Sequence, residues 1–146
     1  MKTKENYTEE NLEAIAQFLV AQPPELCLAL VRYDGRLLEY VKEQTHEICM
    51  AAVKQNAYAL SRVLEQNREI CIVAVQRDGY ALQFVKEQTF EICLAAVRQC
   101  GFAIQHVRER TLEICLAALQ QTRWAIEYVP HELMAEAQKS LREEKR

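Results

Sequence analysis

From residue 24 onward the chain can be written in rows of 22 residues with no insertion between them. The rows are 24–45 (PELCLALVRYDGRLLEYVKEQT), 46–67 (HEICMAAVKQNAYALSRVLEQN), 68–89 (REICIVAVQRDGYALQFVKEQT), 90–111 (FEICLAAVRQCGFAIQHVRERT) and 112–130, where the pattern breaks down after Val129. The second place is always Glu and the fourth always Cys; the eighth is Val or Leu, and the eighteenth Val. A unit this short cannot bury its apolar face alone, so the rows must stack, each on its neighbours.

Each row reads as two short helices. A row closes on Thr45, Asn67, Thr89 or Thr111, all good N-cap residues, and the recurring Glu then falls at the second helical position. A carboxylate there suits the positive end of the helix dipole. In the first row Pro24 takes a first-turn position that tolerates proline. The first helix, such as 91–99, is expected to stop at Asp34–Gly35, Asn56–Ala57, Asp78–Gly79, Cys100–Gly101 or Thr122–Arg123, with Gly or Asn in the left-handed conformation. The fifth row lacks such a residue. A second helix, such as 80–88, then buries Ala81, Leu82 and Val85. The pattern predicts an all-α fold without strands, an α-solenoid of tandem 22-residue two-helix repeats with N- and C-terminal capping helices. The N-terminal cap is placed at 8–23, where Ile15, Phe18 and Leu19 match half a row; Pro130 interrupts the last row, and 131–146 reads as a cap helix with Leu133, Ala137 and Leu141 on one face. The whole chain, 1–146, is expected to be a single repeat domain.

The core of the row, EICLAAV followed by G, AL, V and EQT, resembles the short repeat catalogued as domain of unknown function 4116. The resemblance runs over 24–129, with departures at Arg123 in place of glycine and Leu64 in place of a basic residue. It implies tandem helical repeats and an interaction module, and it carries no catalytic residue across to this chain.

Composition narrows the function. Half the residues are hydrophobic and only three are glycine and three proline, which excludes a disordered or linker-rich chain. The net charge of −3 lacks the basic excess of a general nucleic-acid binder. No apolar run approaches the roughly 20 residues that cross a bilayer, and residues 1–10 carry no signal-peptide core. The expectation is a soluble, cytoplasmic protein, or one in a host cell's cytosol, with no membrane partner.

Few residues suggest chemistry. Cys27, Cys49, Cys71, Cys93 and Cys115 recur at one helical position without any CxxC and read as small buried apolar groups. Cys100, at a turn, is the thiol expected to be most exposed. His46, His106 and His131 form no ligand set, so no metal and no cofactor are expected. Glu25, Glu47, Glu69, Glu91 and Glu113, and Glu43, Glu65, Glu87 and Glu109, form two ladders of like environment, unsuited to acid–base division of labour. They read as capping and solvating groups, and no enzyme is expected.

One stripe stands apart. The thirteenth place holds Arg36, Tyr58, Tyr80, Phe102 and Trp124; the seventeenth holds Tyr40, Arg62, Phe84, His106 and Tyr128. On a helical wheel both places fall at or beyond the margin of the core. Two readings follow: packing between layers, or a recognition surface of the residue types enriched at binding hot spots. The stripe varies while the core places hardly change. The expected function is a non-enzymatic protein-binding module, an adaptor or a small inhibitor that occludes a larger protein. The alternative is single-stranded RNA binding by stacked helical repeats, and self-association through the solenoid ends is a further reading.

Overall fold

The computed structural model describes residues 23–143, which divide between Leu64 and Glu65 into two compact units. The first holds α1 (Pro24–Tyr33), the 3-10 helix η1 (Gly35–Tyr40), α2 (His46–Gln55) and η2 (Ala57–Arg62). The second holds α3 (Arg68–Arg77), η3 (Gly79–Phe84), α4 (Phe90–Gln99), η4 (Gly101–His106), α5 (Leu112–Gln121), η5 (Arg123–Tyr128) and α6 (His131–Glu143). The described residues form an all-α repeat fold and contain no strand. The expected N-terminal half row lies, but for Pro23, outside the described residues.

Each α-helix of the rows is ten residues long and starts where the cap residues place it. The side-chain oxygens of Thr45, Asn67, Thr89 and Thr111 accept from the backbone N–H of Ile48, Ile70, Ile92 and Ile114, at 3.3, 2.9, 3.4 and 3.4 Å. Each thereby satisfies one of the donors that a helix start leaves without a partner. Places three, four, seven and eight of the row then face inward. In the fourth row these are Ile92, Cys93, Ala96 and Val97, all buried. The alanine of the seventh place is fully covered in four rows (Ala52, Ala74, Ala96 and Ala118), which lets neighbouring backbones approach closely.

The second element corrects the sequence reading. It is a 3-10 helix of six residues rather than a nine-residue α-helix. Asp34, Asn56 and Asp78 open it, each side chain accepting the N–H two residues on, at 3.0, 3.0 and 2.9 Å. It closes with Val41, Val63, Val85, Val107 and Val129 in extended backbone, each N–H donating to the carbonyl three residues back. A 3-10 helix has three residues per turn, so the twelfth, fifteenth and eighteenth places eclipse one another. In the third row those are Gly79, Leu82 and Val85, and all three are buried.

A second correction concerns the glycines. Among the described residues none has a positive φ. The first helix ends instead because Asp34, Asn56, Asp78, Cys100 and Thr122 turn extended, with φ between −144° and −151°. Glycine is needed for space. A Cβ on Gly79 would lie 2.6 Å from the carbonyl oxygen of Ala96, and one on Gly101 2.7 Å from that of Ala118. Each glycine therefore sits against the α-helix of the following row. Arg123 holds this place in the fifth row, where no sixth row follows.

The last helix follows Pro130 as expected. Ala137 is buried, and Leu133 and Leu141 beside it on that face are half-buried. Among the described residues no helix is long and apolar enough to cross a membrane.

Candidate partner-binding surface

The surface is carried by a frame that holds the rows in register, and the frame depends on glutamine. In the first unit the Gln44 amide donates to the carbonyls of Leu38 in its own row and Arg62 in the next, at 3.2 and 3.0 Å. Its oxygen accepts from the Leu64 N–H at 3.0 Å, and the Cys49 thiol donates to it at 3.7 Å. The second unit repeats the clamp. Gln88 donates to Leu82 and His106 carbonyls, and accepts from the Arg108 N–H and the Cys93 thiol. Gln66 likewise joins the Phe84 carbonyl, the Lys86 N–H and the Cys71 thiol. A second set ties the turns: Gln55 accepts from the Gly35 N–H at 2.7 Å and donates to the Tyr33 carbonyl, and Gln99 accepts from the Gly79 N–H at 2.6 Å. The fourth row has Arg110 in place of the clamp, and its guanidinium turns back to the Ile104 and Gln105 carbonyls of its own row.

These glutamines went unremarked in the sequence reading. The signal was present, as Gln44, Gln66 and Gln88 stand 22 residues apart. Beside the recurring Glu, however, they look like any solvated polar residue.

The stripe lies on the outer side of the 3-10 helices, and none of its residues is fully buried. Arg36, Tyr58, Arg62 and Trp124 are exposed; Tyr40, Tyr80, Phe84, Phe102, His106 and Tyr128 are half-buried. In the first unit the Arg36 guanidinium forks onto Asp34, at 2.6 Å from Nη2 to Oδ2, and holds that carboxyl below the usual carboxylate range. Arg62 reaches Glu39 of the preceding row at 3.3 Å. In the second unit the Tyr80 ring stands edge-on to His106 of the next row, centroids 5.9 Å apart. Arg123 lies over the Trp124 ring at 5.0 Å, a cation–π contact. The stripe is thus part layer packing and part exposed anchors. Tyr80 and His106 belong to the first kind; Tyr58 and Trp124, 42% and 57% exposed, belong to the second.

The remaining candidates fall where their chemistry leads. The five repeating cysteines are buried and Cys100 is half-buried. Burial pushes the thiols of Cys49, Cys71, Cys93 and Cys115 up, away from thiolate reactivity. Both glutamate ladders are solvent-exposed. Among the described residues no group of three or more His, Cys, Asp or Glu side chains could hold a metal ion.

Burial pushes the His106 imidazole below its ordinary 6.5. The unfolded chain therefore takes up this proton at a higher pH than the folded chain does. The contribution is complete above 6.5 and is lost as the pH falls through that value towards the folded pKa. Urea denaturation at about pH 7.5 and about pH 5.5 should show lower stability at the acid end, and His106→Gln should reduce that difference.

Nothing among curated proteins or solved structures matches this chain. A family model described as a domain of unknown function (DUF4116) matches four overlapping segments, 24–66, 47–90, 67–111 and 89–134. Each segment is about two rows long, and together they cover every row in the chain. With the matches running over residues 24–134, more than half of the chain, the chain belongs to the DUF4116 family of tandem helical repeats.

Proposed function

We propose that this chain is a non-enzymatic protein-binding module, an adaptor or a small inhibitor that occludes a larger protein, and that it binds through the aromatic and arginine stripe. The observation that carries this reading is the contrast between frame and stripe. Side-chain caps recur in four rows, glutamine clamps in three and the core places throughout, whereas the thirteenth place runs Arg36, Tyr58, Tyr80, Phe102, Trp124, none of them fully buried. A constant frame with variable anchors is the way a repeat scaffold changes its partner without changing its fold. Tyr, Trp and Arg are also the types over-represented at binding hot spots.

The test is a paired affinity capture from cell lysate, followed by reconstitution of the complex from purified components. One bait is the intact chain and the other carries Tyr58→Ala and Trp124→Ala, both exposed positions, with circular dichroism confirming that the variant keeps its helicity. A discrete protein should bind the intact chain and lose about tenfold or more in affinity for the variant. Capture of RNA alone, with affinity falling steeply as salt rises, would favour the nucleic-acid alternative instead.

A further inference from the structure

Two cavities in the second unit recur one row apart, and no stripe residue lines either. One, of about 220 Å³, has Gln66, Asn67, Arg68, Cys71, Lys86 and Ile92 in its walls. The other, of about 230 Å³, has the residues 22 places further on: Gln88, Thr89, Phe90, Cys93, Arg108 and Ile114. Glu87 and Thr89 in the first are matched by Glu109 and Thr111 in the second. The two linings differ in kind at one place only, Arg68 against Phe90. That is the first place of the row, and it changes in every row: Pro24, His46, Arg68, Phe90, Leu112. A constant pocket with a changing residue at its wall is a second arrangement suited to selective binding, separate from the stripe.

We infer that these cavities are consecutive anchor pockets for an extended segment of a partner protein in the polyproline II conformation. It would carry an acidic side chain for the Arg68 pocket and an apolar one, three residues away, for the Phe90 pocket. Spacing selects the conformation. Packed helices lie about 8–10 Å apart, and a polyproline II chain rises about 9 Å in three residues while returning to the same face. A β-strand covers about 7 Å in two residues, and its third residue points to the opposite face. Charge selects the side chains. The first pocket has two cations, Arg68 and Lys86, against one lining carboxylate, Glu87. Arg68 already holds a carboxylate, Glu91 of the next row, at 2.6 Å through Nη2 and 2.8 Å through Nε. That pair is exposed on both sides and therefore weak, so an incoming carboxylate can displace Glu91 readily. In the second pocket cation and carboxylate balance, and the Arg108 guanidinium is taken up by the Lys86 and Val85 carbonyls. Phe90, 47% exposed, is left as the apolar wall.

The probes are two fluorescent proline-rich peptides of about twelve residues, one with Glu followed three residues later by Leu and one with the order reversed. Binding is read by anisotropy, with circular dichroism confirming that each variant keeps its helicity. One peptide order should bind. Arg68→Glu and Phe90→Asp should each weaken it by about tenfold or more. Replacing the peptide's Glu by Lys should restore binding to the Arg68→Glu chain. The Tyr58→Ala, Trp124→Ala chain should bind these peptides as the intact chain does, which separates this inference from the stripe reading. Failure of both orders to bind, indifference to both substitutions, or failure of the charge swap would overturn it. So would a single-stranded RNA that binds the chain and is lost with Arg68→Glu.

Discussion

Replacing Gly79 by valine should destabilise the second unit by about 3–4 kcal/mol in urea denaturation. The Cβ alone would stand 2.6 Å from the Ala96 carbonyl oxygen, which is backbone and cannot rotate aside. Overpacking of this kind costs about 1–3 kcal/mol and occasionally more. The shift it forces also breaks the Gly79 N–H bond to Gln99, worth about 1 kcal/mol. Gly79→Asn separates two explanations of the glycine. A left-handed turn would accept asparagine well, whereas the close approach at Gly79 penalises every Cβ placed there. Asparagine should therefore destabilise at least as much as alanine does.

Gln88→Leu should cost about 2–3 kcal/mol. Leucine fills nearly the same volume, so the loss is polar rather than a cavity. The His106 carbonyl gives up a donor at 2.9 Å and the Arg108 N–H an acceptor at 3.0 Å, and both groups belong to the row being held in register. Gln83→Leu is the matching control. Its amide donates only to the Tyr80 carbonyl of its own row, on an exposed face, and its loss should change stability by less than about 0.5 kcal/mol. Equal effects at positions 83 and 88 would mean that the clamp contributes nothing beyond helix propensity.

Much of the fold was legible because its determinants are local. Thr89 three residues before Ile92 specifies a cap, and the run Ile92, Cys93, Ala96, Val97 specifies the buried face of one helix. The burial of Ala81, Leu82 and Val85 was legible for the same reason. The helix type was not. Over six residues a period of 3.0 and one of 3.6 bury nearly the same places, so Gly79–Phe84 reads equally well either way. The choice is made by Asp78 at one end and extended Val85 at the other. The role of Gly79 escaped because its constraint, the Ala96 carbonyl, lies in another row. Gln88 escaped for the same reason, since most of its partners are in the row that follows.

The stripe shows the same limit. The wheel placed Tyr80 and Trp124 at one equivalent outer position. Yet Tyr80 meets His106 of the following row, while Trp124, in the last row, stays 57% exposed with Arg123 over its ring. Identical places in a repeat become unlike wherever the array ends, and the most exposed aromatic of the stripe, Trp124, falls there.

The most direct test of the stripe as a binding surface is site-specific photo-crosslinking in lysate. A benzophenone amino acid is placed at 58 or 124 on the stripe, or at the exposed control position 98 on the α4 face. Positions 58 and 124 should each yield one discrete protein adduct of the same partner, and position 98 none. A partner trapped from 98 but from neither 58 nor 124 would contradict the stripe and move the binding surface to the α-helical face.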